Sequence, residues 1–243
     1  MSAPPRRCLV VRCGDPEPEV AQTHGCFVRW FRRAIDPTVD FTVLDPRVEA
    51  AASHLLDGVG AVVVTGSPHA VYESHPWIPA LEALVREAVQ DRGLPFLGVC
   101  FGHQLLAQSF GGRVTRNPRG REMGTITVRL NDRGRDDALF HRLPQQFRAH
   151  ATHRDTVLAP PPEARVLASS DKDDCQSFKL GRHAWGVQFH PEITAPILRG
   201  YVLARREMLR SEGTCPVSVH DGILDSVEGA SVLSNFVSLA FNG

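Results

Sequence analysis

The 243-residue chain has no net charge, with 27 basic residues set against 27 acidic ones, and it has no face-long basic run. Nucleic acid and anionic membrane are therefore not expected as partners. It also lacks an apolar stretch long enough to cross a bilayer: runs such as Gly60-Ala61-Val62-Val63-Val64 fall far short of the ~20 residues required. Its start, Met1-Ser2-Ala3-Pro4-Pro5-Arg6-Arg7, leads straight into a strand-like segment without a signal peptide's apolar region or cleavage site. A soluble, cytoplasmic protein is expected. The six cysteines, at 8, 13, 26, 100, 175 and 215, form no C-x-x-C pair and no repeated spacing, which argues against a zinc cage. A chain this large has core enough without a disulfide framework, and no metal or other cofactor is expected. No internal repeat or low-complexity linker appears, although Pro160-Pro161-Pro162 marks a rigid turn, so a single domain over 1–243 is the economical reading.

What is present is a regular alternation. Short β-rich runs at Cys8-Leu9-Val10-Val11, Phe41-Thr42-Val43-Leu44, Ala61-Val62-Val63-Val64 and Phe96-Leu97-Gly98-Val99 are separated by segments with helical spacing. Val20, Phe27, Phe31 and Ile35 make one helical stripe; Trp77, Leu81, Leu84, Val85 and Ala88 make another. Alternating strand and helix imply a parallel sheet, and the first three strands, apolar on both sides, imply helices on both faces. Further on, Ile126-Thr127-Val128, Val166-Leu167-Ala168, Gln176-Ser177-Phe178 and Trp185 to Phe189 read as strands joined by turns, adding an antiparallel region. Helices over 195–210 and 227–241 close the chain. The fold class is α/β: a three-layer, open, mixed and mostly parallel sheet.

One apolar strand ends on a cysteine between two glycines, Gly98-Val99-Cys100-Phe101-Gly102, with a helical pattern just beyond. This is the cysteine analogue of the G-x-S-x-G elbow, in which a sharp strand-to-helix turn strains the nucleophile's backbone and requires small neighbours. The helix N-terminus there favours the thiolate, the reactive form. A base is offered by His190-Pro191-Glu192, where residues i and i+2 of an extended chain project to one side and Glu192 can orient the His190 imidazole. Donors for an oxyanion are the Phe101 N–H and the loop Thr65-Gly66-Ser67-Pro68. Of the other histidines, His150 is expected in a surface loop, and His69, His75 and His103 as solvated or hydrogen-bonded groups near the pocket.

These segments, "VVVTGSPHAVYE", "LPFLGVCFGHQLLAQSFGG", "THRDTV" and "WGVQFHPE", together resemble the class I (triad) glutamine amidotransferases over roughly residues 60 to 192. The likeness is greatest to the GMP-synthase-like branch and its free-standing members. The resemblance implies the flavodoxin-like fold of that family, a glutamine or other γ-glutamyl compound as substrate, Cys100 as nucleophile, His190 as base and then acid, and Glu192 as its orienting group. It also implies Ser67 and Phe101 as oxyanion donors, with Gly66 beside Ser67 in that loop, and Gln104 as a glutamine contact. The loop Thr152-His153-Arg154-Asp155 resembles the one that holds the amino-acid end of glutamine, so His153, Arg154 and Asp155 become substrate-binding candidates.

Two positions depart from that family. Ser67 stands before Pro68 where many relatives have a second glycine, and Arg154 stands where glycine is frequent. Similar features occur in the plant γ-glutamyl peptidases of the same superfamily, whose leaving group is a larger amine. Three functions follow: ammonia release for a separate synthetase subunit, stand-alone γ-glutamyl hydrolysis, or a regulatory binding protein without catalysis. The chain has no G-x-x-x-x-G-K-[ST] loop and no S-G-G-x-D-S motif, so amidation of an acceptor would need a separate subunit.

Overall fold

The computed structural model describes residues 6–242. In chain order its first half comprises β1 (Arg7–Val11), α1 (Pro18–His24), α2 (Phe27–Ala34), β2 (Asp40–Leu44), β3 (Ala61–Val64), α3 (Trp77–Arg86), β4 (Phe96–Val99) and α4 (Phe101–Ser109). Then come β5 (Arg113–Arg116), β6 (Glu122–Leu130), α5 (Asp132–Arg135), β7 (Gln146–His153), β8 (Asp155–Ala159), β9 (Arg165–Ser169), β10 (Ser177–Leu180) and β11 (Ala184–Val187). The chain closes with α6 (Ala195–Ala204), α7 (Arg206–Ser211), α8 (Pro216–Asp221) and α9 (Val227–Phe241).

Nine strands make one sheet in the order β2-β1-β3-β4-β11-β10-β9-β6-β7. Strands β2, β1, β3, β4 and β11 pair in parallel, and of the remaining four only β10 and β6 run against the common direction. The sheet is thus mixed and mostly parallel. Side chains alternate between its faces, as a pleated strand demands. Val10, Val63, Leu97 and Val99 join Phe31, Leu233 and Phe236 on the side of α2 and α9. Leu9, Val62, Val64 and Phe96 join Leu81, Val85, Leu105 and Leu106 on the side of α3 and α4. That division makes three layers. Among the described residues no helix is long and apolar enough to cross a membrane.

Three local expectations are corrected. Strand β2 is an edge strand with Val43 42% exposed and the Arg32 guanidinium 4.1 Å over the Phe41 ring, so it is not buried on both faces. The first helical stripe is two helices, because Gly25 at φ +83° ends α1 and an extended Cys26 restarts the chain as α2. Residues 150–155 are not a loop but the end of β7, a bend at Arg154 and the start of β8, so His150 is 1% exposed on a strand. Those strands read as Gln-Phe-Arg-Ala-His-Ala-Thr-His and Asp-Thr-Val-Leu-Ala, the first too rich in alanine and histidine to announce itself by β propensity.

Candidate active site

The carboxyl ends of the adjacent strands β4 and β11 position the site, the usual place for ligands in an open α/β sheet. Val99 pairs with Val187, and the Cys100 N–H donates to the Val187 carbonyl at 2.9 Å before α4 begins at Phe101. Cys100 has φ +53° and ψ −101°, a conformation that strains any residue with a Cβ by about 1–3 kcal/mol. Both flanking glycines are required by close backbone approach. A Cβ on Gly98 would lie 2.3 Å from the Gly102 carbonyl oxygen, and one on Gly102 would lie 2.3 Å from the Val64 carbonyl oxygen.

Beyond β11 the chain runs extended past Phe189, and the His190 N–H donates to the His150 carbonyl at 2.8 Å. His190 Nδ1 stands 2.7 Å from Glu192 Oε1, with both side chains buried. The other ring nitrogen is left for the Cys100 thiol. Burial pushes the Cys100 pKa up, but the His190 charge and its hydrogen bond outweigh that and hold the thiol below its ordinary value. Burial in turn pushes His190 down, and the charges of Glu192 and Cys100 more than offset it, raising the imidazole to about 10. The pair is therefore set toward thiolate and imidazolium. Gly66 closes one side: a Cβ there would come 3.0 Å from His190 Cε1.

The loop after β3 is held against the segment following β1. Ser67 Oγ donates to the Cys13 carbonyl at 2.8 Å, the Cys13 N–H donates to Thr65 Oγ1 at 3.1 Å, and Gly14 leaves room for the Pro68 ring. Among the described residues the backbone N–H groups of Ser67 and Phe101 donate to no other protein group. Both are free to meet an anion. The cleft above Cys100 has a volume of about 190 Å³, below the ~300–1,000 Å³ of drug-sized ligand pockets, and so fits an amino-acid-sized group.

The remaining candidates divide into floor and rim. Gln104, 3% exposed, uses its side-chain N–H groups on the Asp155 carbonyl (3.1 Å) and Gln188 Oε1 (3.0 Å), leaving its oxygen for a ligand. Asp155 accepts from the Tyr72 hydroxyl at 3.0 Å. His153 has both ring nitrogens engaged, Nδ1 with the Asp155 carbonyl (3.0 Å) and Nε2 with Glu122 Oε2 (2.9 Å). Three guanidiniums stand over the mouth. Arg121 is paired with Glu212 (2.7 and 3.0 Å), and Arg205 with Glu17 (2.8 Å) and Thr152 (2.9 Å). Arg154 is held only loosely, 3.4 Å from Asp155 and 3.6 Å from Glu73.

Sequence reasoning missed the polar layer beneath this floor. Glu122 also accepts from Ser170 (2.6 Å) and Gln176 (2.5 Å), while Asp173 lies 3.9 Å from His153 Nδ1; all of these are buried. Burial pushes Glu122 up, but the hydrogen bond and charge of His153 hold it below the usual carboxylate range. Burial likewise pushes His153 down, and the hydrogen bond to Glu122 and the charge of Asp173 more than restore it, holding it above the ordinary imidazole value. Nothing in a strand pattern such as Glu-Met-Gly-Thr-Ile flags its first residue as a buried anion. His103, by contrast, is fully buried against Phe178 (4.8 Å) and lowered by that burial to about 3, so it is a neutral packing group outside the cleft.

The family model for glutamine amidotransferase class-I matches residues 29–206. The chain is 38% identical over 144 residues to the GMP synthase [glutamine-hydrolyzing] of Aeropyrum pernix, covering 59% of this chain and 26% of that one. It is 34% identical over 145 residues to gamma-glutamyl peptidase 5 of Arabidopsis thaliana, covering 59% of this chain and 57% of that one. It thus spans about a quarter of the first relative's length and little more than half of the second's. Among solved structures, a glutamine amidotransferase from Thermotoga maritima superposes with a TM-score of 0.74 at 27% identity, over 96% of this chain and 95% of that one.

Proposed function

The chain belongs to the class-I glutamine amidotransferase family, and from that premise we propose that it hydrolyses a γ-glutamyl amide through Cys100, His190 and Glu192. The observation that carries the reading is the strained Cys100 at the end of β4, charge-paired with a His190 that Glu192 holds at 2.7 Å. Thiolate and imidazolium form the resting state. The sulfur attacks the γ-carbonyl carbon, a C–S bond forms, and the carbonyl electrons move to an oxyanion met by the Ser67 and Phe101 N–H groups. Collapse breaks the C–N bond, and the amine leaves with the His190 proton. Neutral His190 then takes a proton from water, the hydroxide attacks the thioester, and expulsion of the thiolate restores the ion pair and frees the γ-carboxylate.

Glutamine is the substrate most consistent with the family and with the small cleft, which makes ammonia the product and a separate synthetase subunit its consumer. The Gln104 carbonyl, Asp155 and Arg154 would meet the amino-acid end, with Gly66 and Ser67 lining the side of the carboxamide. A second reading, cleavage of γ-glutamyl peptides, is favoured by one feature: the weakly engaged Arg154 at the mouth, positioned for a carboxylate beyond the scissile bond. Its likeness to the Arabidopsis gamma-glutamyl peptidase agrees with this. The test is product release by the purified chain alone, from glutamine and from a γ-glutamyl dipeptide, beside Cys100→Ala. Loss of turnover on both substrates in the variant is expected. Undiminished turnover would reject the nucleophile.

A further inference from the structure

A second cluster of ligating side chains lies on the segment between β3 and α3, at the rim of the cleft. His69, Glu73 and His75 present donor atoms that all lie within 4.8 Å of one another. His69 Nδ1 is 3.2 Å and His75 Nε2 3.0 Å from the same carboxylate oxygen, Glu73 Oε2. In a tetrahedral site with bonds of ~2.0–2.1 Å, neighbouring donors stand ~3.3 Å apart, so two of the three edges already have ligand-to-ligand spacing. The segment is folded to make this happen: the Glu73 N–H donates to the Ala70 carbonyl at 3.1 Å and the His75 N–H to the Glu73 carbonyl at 2.8 Å, bringing positions i, i+4 and i+6 together.

The rings are also held from outside the cluster. His75 stacks on Trp77, with centroids 5.9 Å apart and planes at 21°, and Trp77 packs on Phe101 at 5.7 Å. Each of the three side chains is about one-third exposed, which leaves an entry path and a fourth position for water. We propose that His69, Glu73 and His75 form a binding site for a zinc-class divalent cation. Two imidazoles and one carboxylate suit zinc and its transition-metal neighbours, whereas magnesium and calcium prefer oxygen alone. A metal here would brace the loop that carries Ser67, because the His69 N–H donates to Ser67 Oγ at 3.1 Å. It would also place positive charge beside Arg154, whose closest partner in this cluster is the other Glu73 oxygen.

The experiment is calorimetric titration of the chelator-treated full chain with Zn²⁺, with Co²⁺ absorption reporting ligand type. One metal per chain is expected for the wild type and for Cys100→Ser, with loss of that site in His69→Ala and His75→Ala. Bound Co²⁺ should show d–d bands and no thiolate charge-transfer band. The thermal midpoint should rise with zinc in the wild type but not in His75→Ala. If His75→Ala fails to fold, His69→Gln and Glu73→Gln read the same loss. Absence of zinc binding by the wild type, binding that survives both histidine substitutions, or binding that vanishes in Cys100→Ser would each overturn the site, the last by assigning the metal to the thiol.

Discussion

Glu122 and His153 sit directly opposite each other in the β6–β7 register, and their side chains meet in a buried ion pair at 2.9 Å beneath the cleft. That pairing bears on the thiol, because the His153 charge is among the influences that lower Cys100. With Glu122→Gln, His153 loses the partner that keeps its pKa raised, becomes neutral at lower pH, and no longer favours the thiolate. The acidic limb of the kcat/KM profile should therefore move to higher pH. The alkaline limb, expected where His190 loses its proton near pH 10, should stay where it is. Stability should fall by about 1–3 kcal/mol, as for other buried hydrogen-bonded groups left short of a partner. A destabilised variant with an unmoved acidic limb would confine Glu122 to a structural role.

Cys100 carries its strain whether or not it carries a sulfur. Cys100→Ala should abolish turnover and leave stability within about 1 kcal/mol of the wild type, since the backbone conformation and burial persist. Cys100→Gly should be equally inactive yet more stable than Cys100→Ala by about 1–3 kcal/mol, because glycine adopts φ +53° without a Cβ penalty. Denaturant unfolding of the two variants side by side checks this. Equal stability would mean that the turn is unstrained.

The core strands and the turn at Cys100 were legible because local rules and the fold agree there. Ala61–Val64 and Phe96–Val99 are strands where the apolar runs place them, and Gly98 and Gly102 are small for the steric reason that the elbow pattern supplies. The edge strand β2 misled because Phe-Thr-Val-Leu reads as buried, and only its place in the sheet order exposes it. The layer of Glu122, Ser170, Asp173 and Gln176 was illegible for a different reason. Glu122 comes from β6 and the other three from the connection between β9 and β10, 48 or more residues further on, so the satisfaction of the buried carboxylate exists only in three dimensions. His69, Glu73 and His75 are close in sequence, but an irregular segment has no period that reveals which side chains converge.

Glu192 is the largest influence raising His190, acting against the burial that lowers it. Glu192→Gln should therefore lower the His190 pKa and pull the alkaline limb of the rate profile down from near pH 10, while the hydrogen bond to Nδ1 is partly conserved. The loss in kcat is expected at roughly 10⁴, the size seen when the orienting carboxylate of a triad is replaced. His190→Ala should lose more, because His153, which also lines the cleft, has both ring nitrogens occupied. Equal and small losses for the two variants would point to another base.

Arg154 separates the two substrate readings. Its guanidinium is one-third exposed at the cleft mouth, with partners no closer than 3.4 Å, whereas Arg121 and Arg205 are committed to carboxylates at 2.7 and 2.8 Å. A substrate carboxylate could therefore displace the Arg154 contacts at small cost and gain a charge-assisted pair. If that carboxylate belongs to the leaving group of a γ-glutamyl peptide, Arg154→Gly should lower kcat/KM for a γ-glutamyl dipeptide by roughly 10-fold or more, as for loss of one charged hydrogen bond of ~1.5–3 kcal/mol, and leave glutamine hydrolysis nearly unchanged. If it is the α-carboxylate shared by both substrates, the two should fall together. In that case the peptide reading loses its support and ammonia release from glutamine stands, to be tested by whether an added synthetase subunit stimulates the isolated chain.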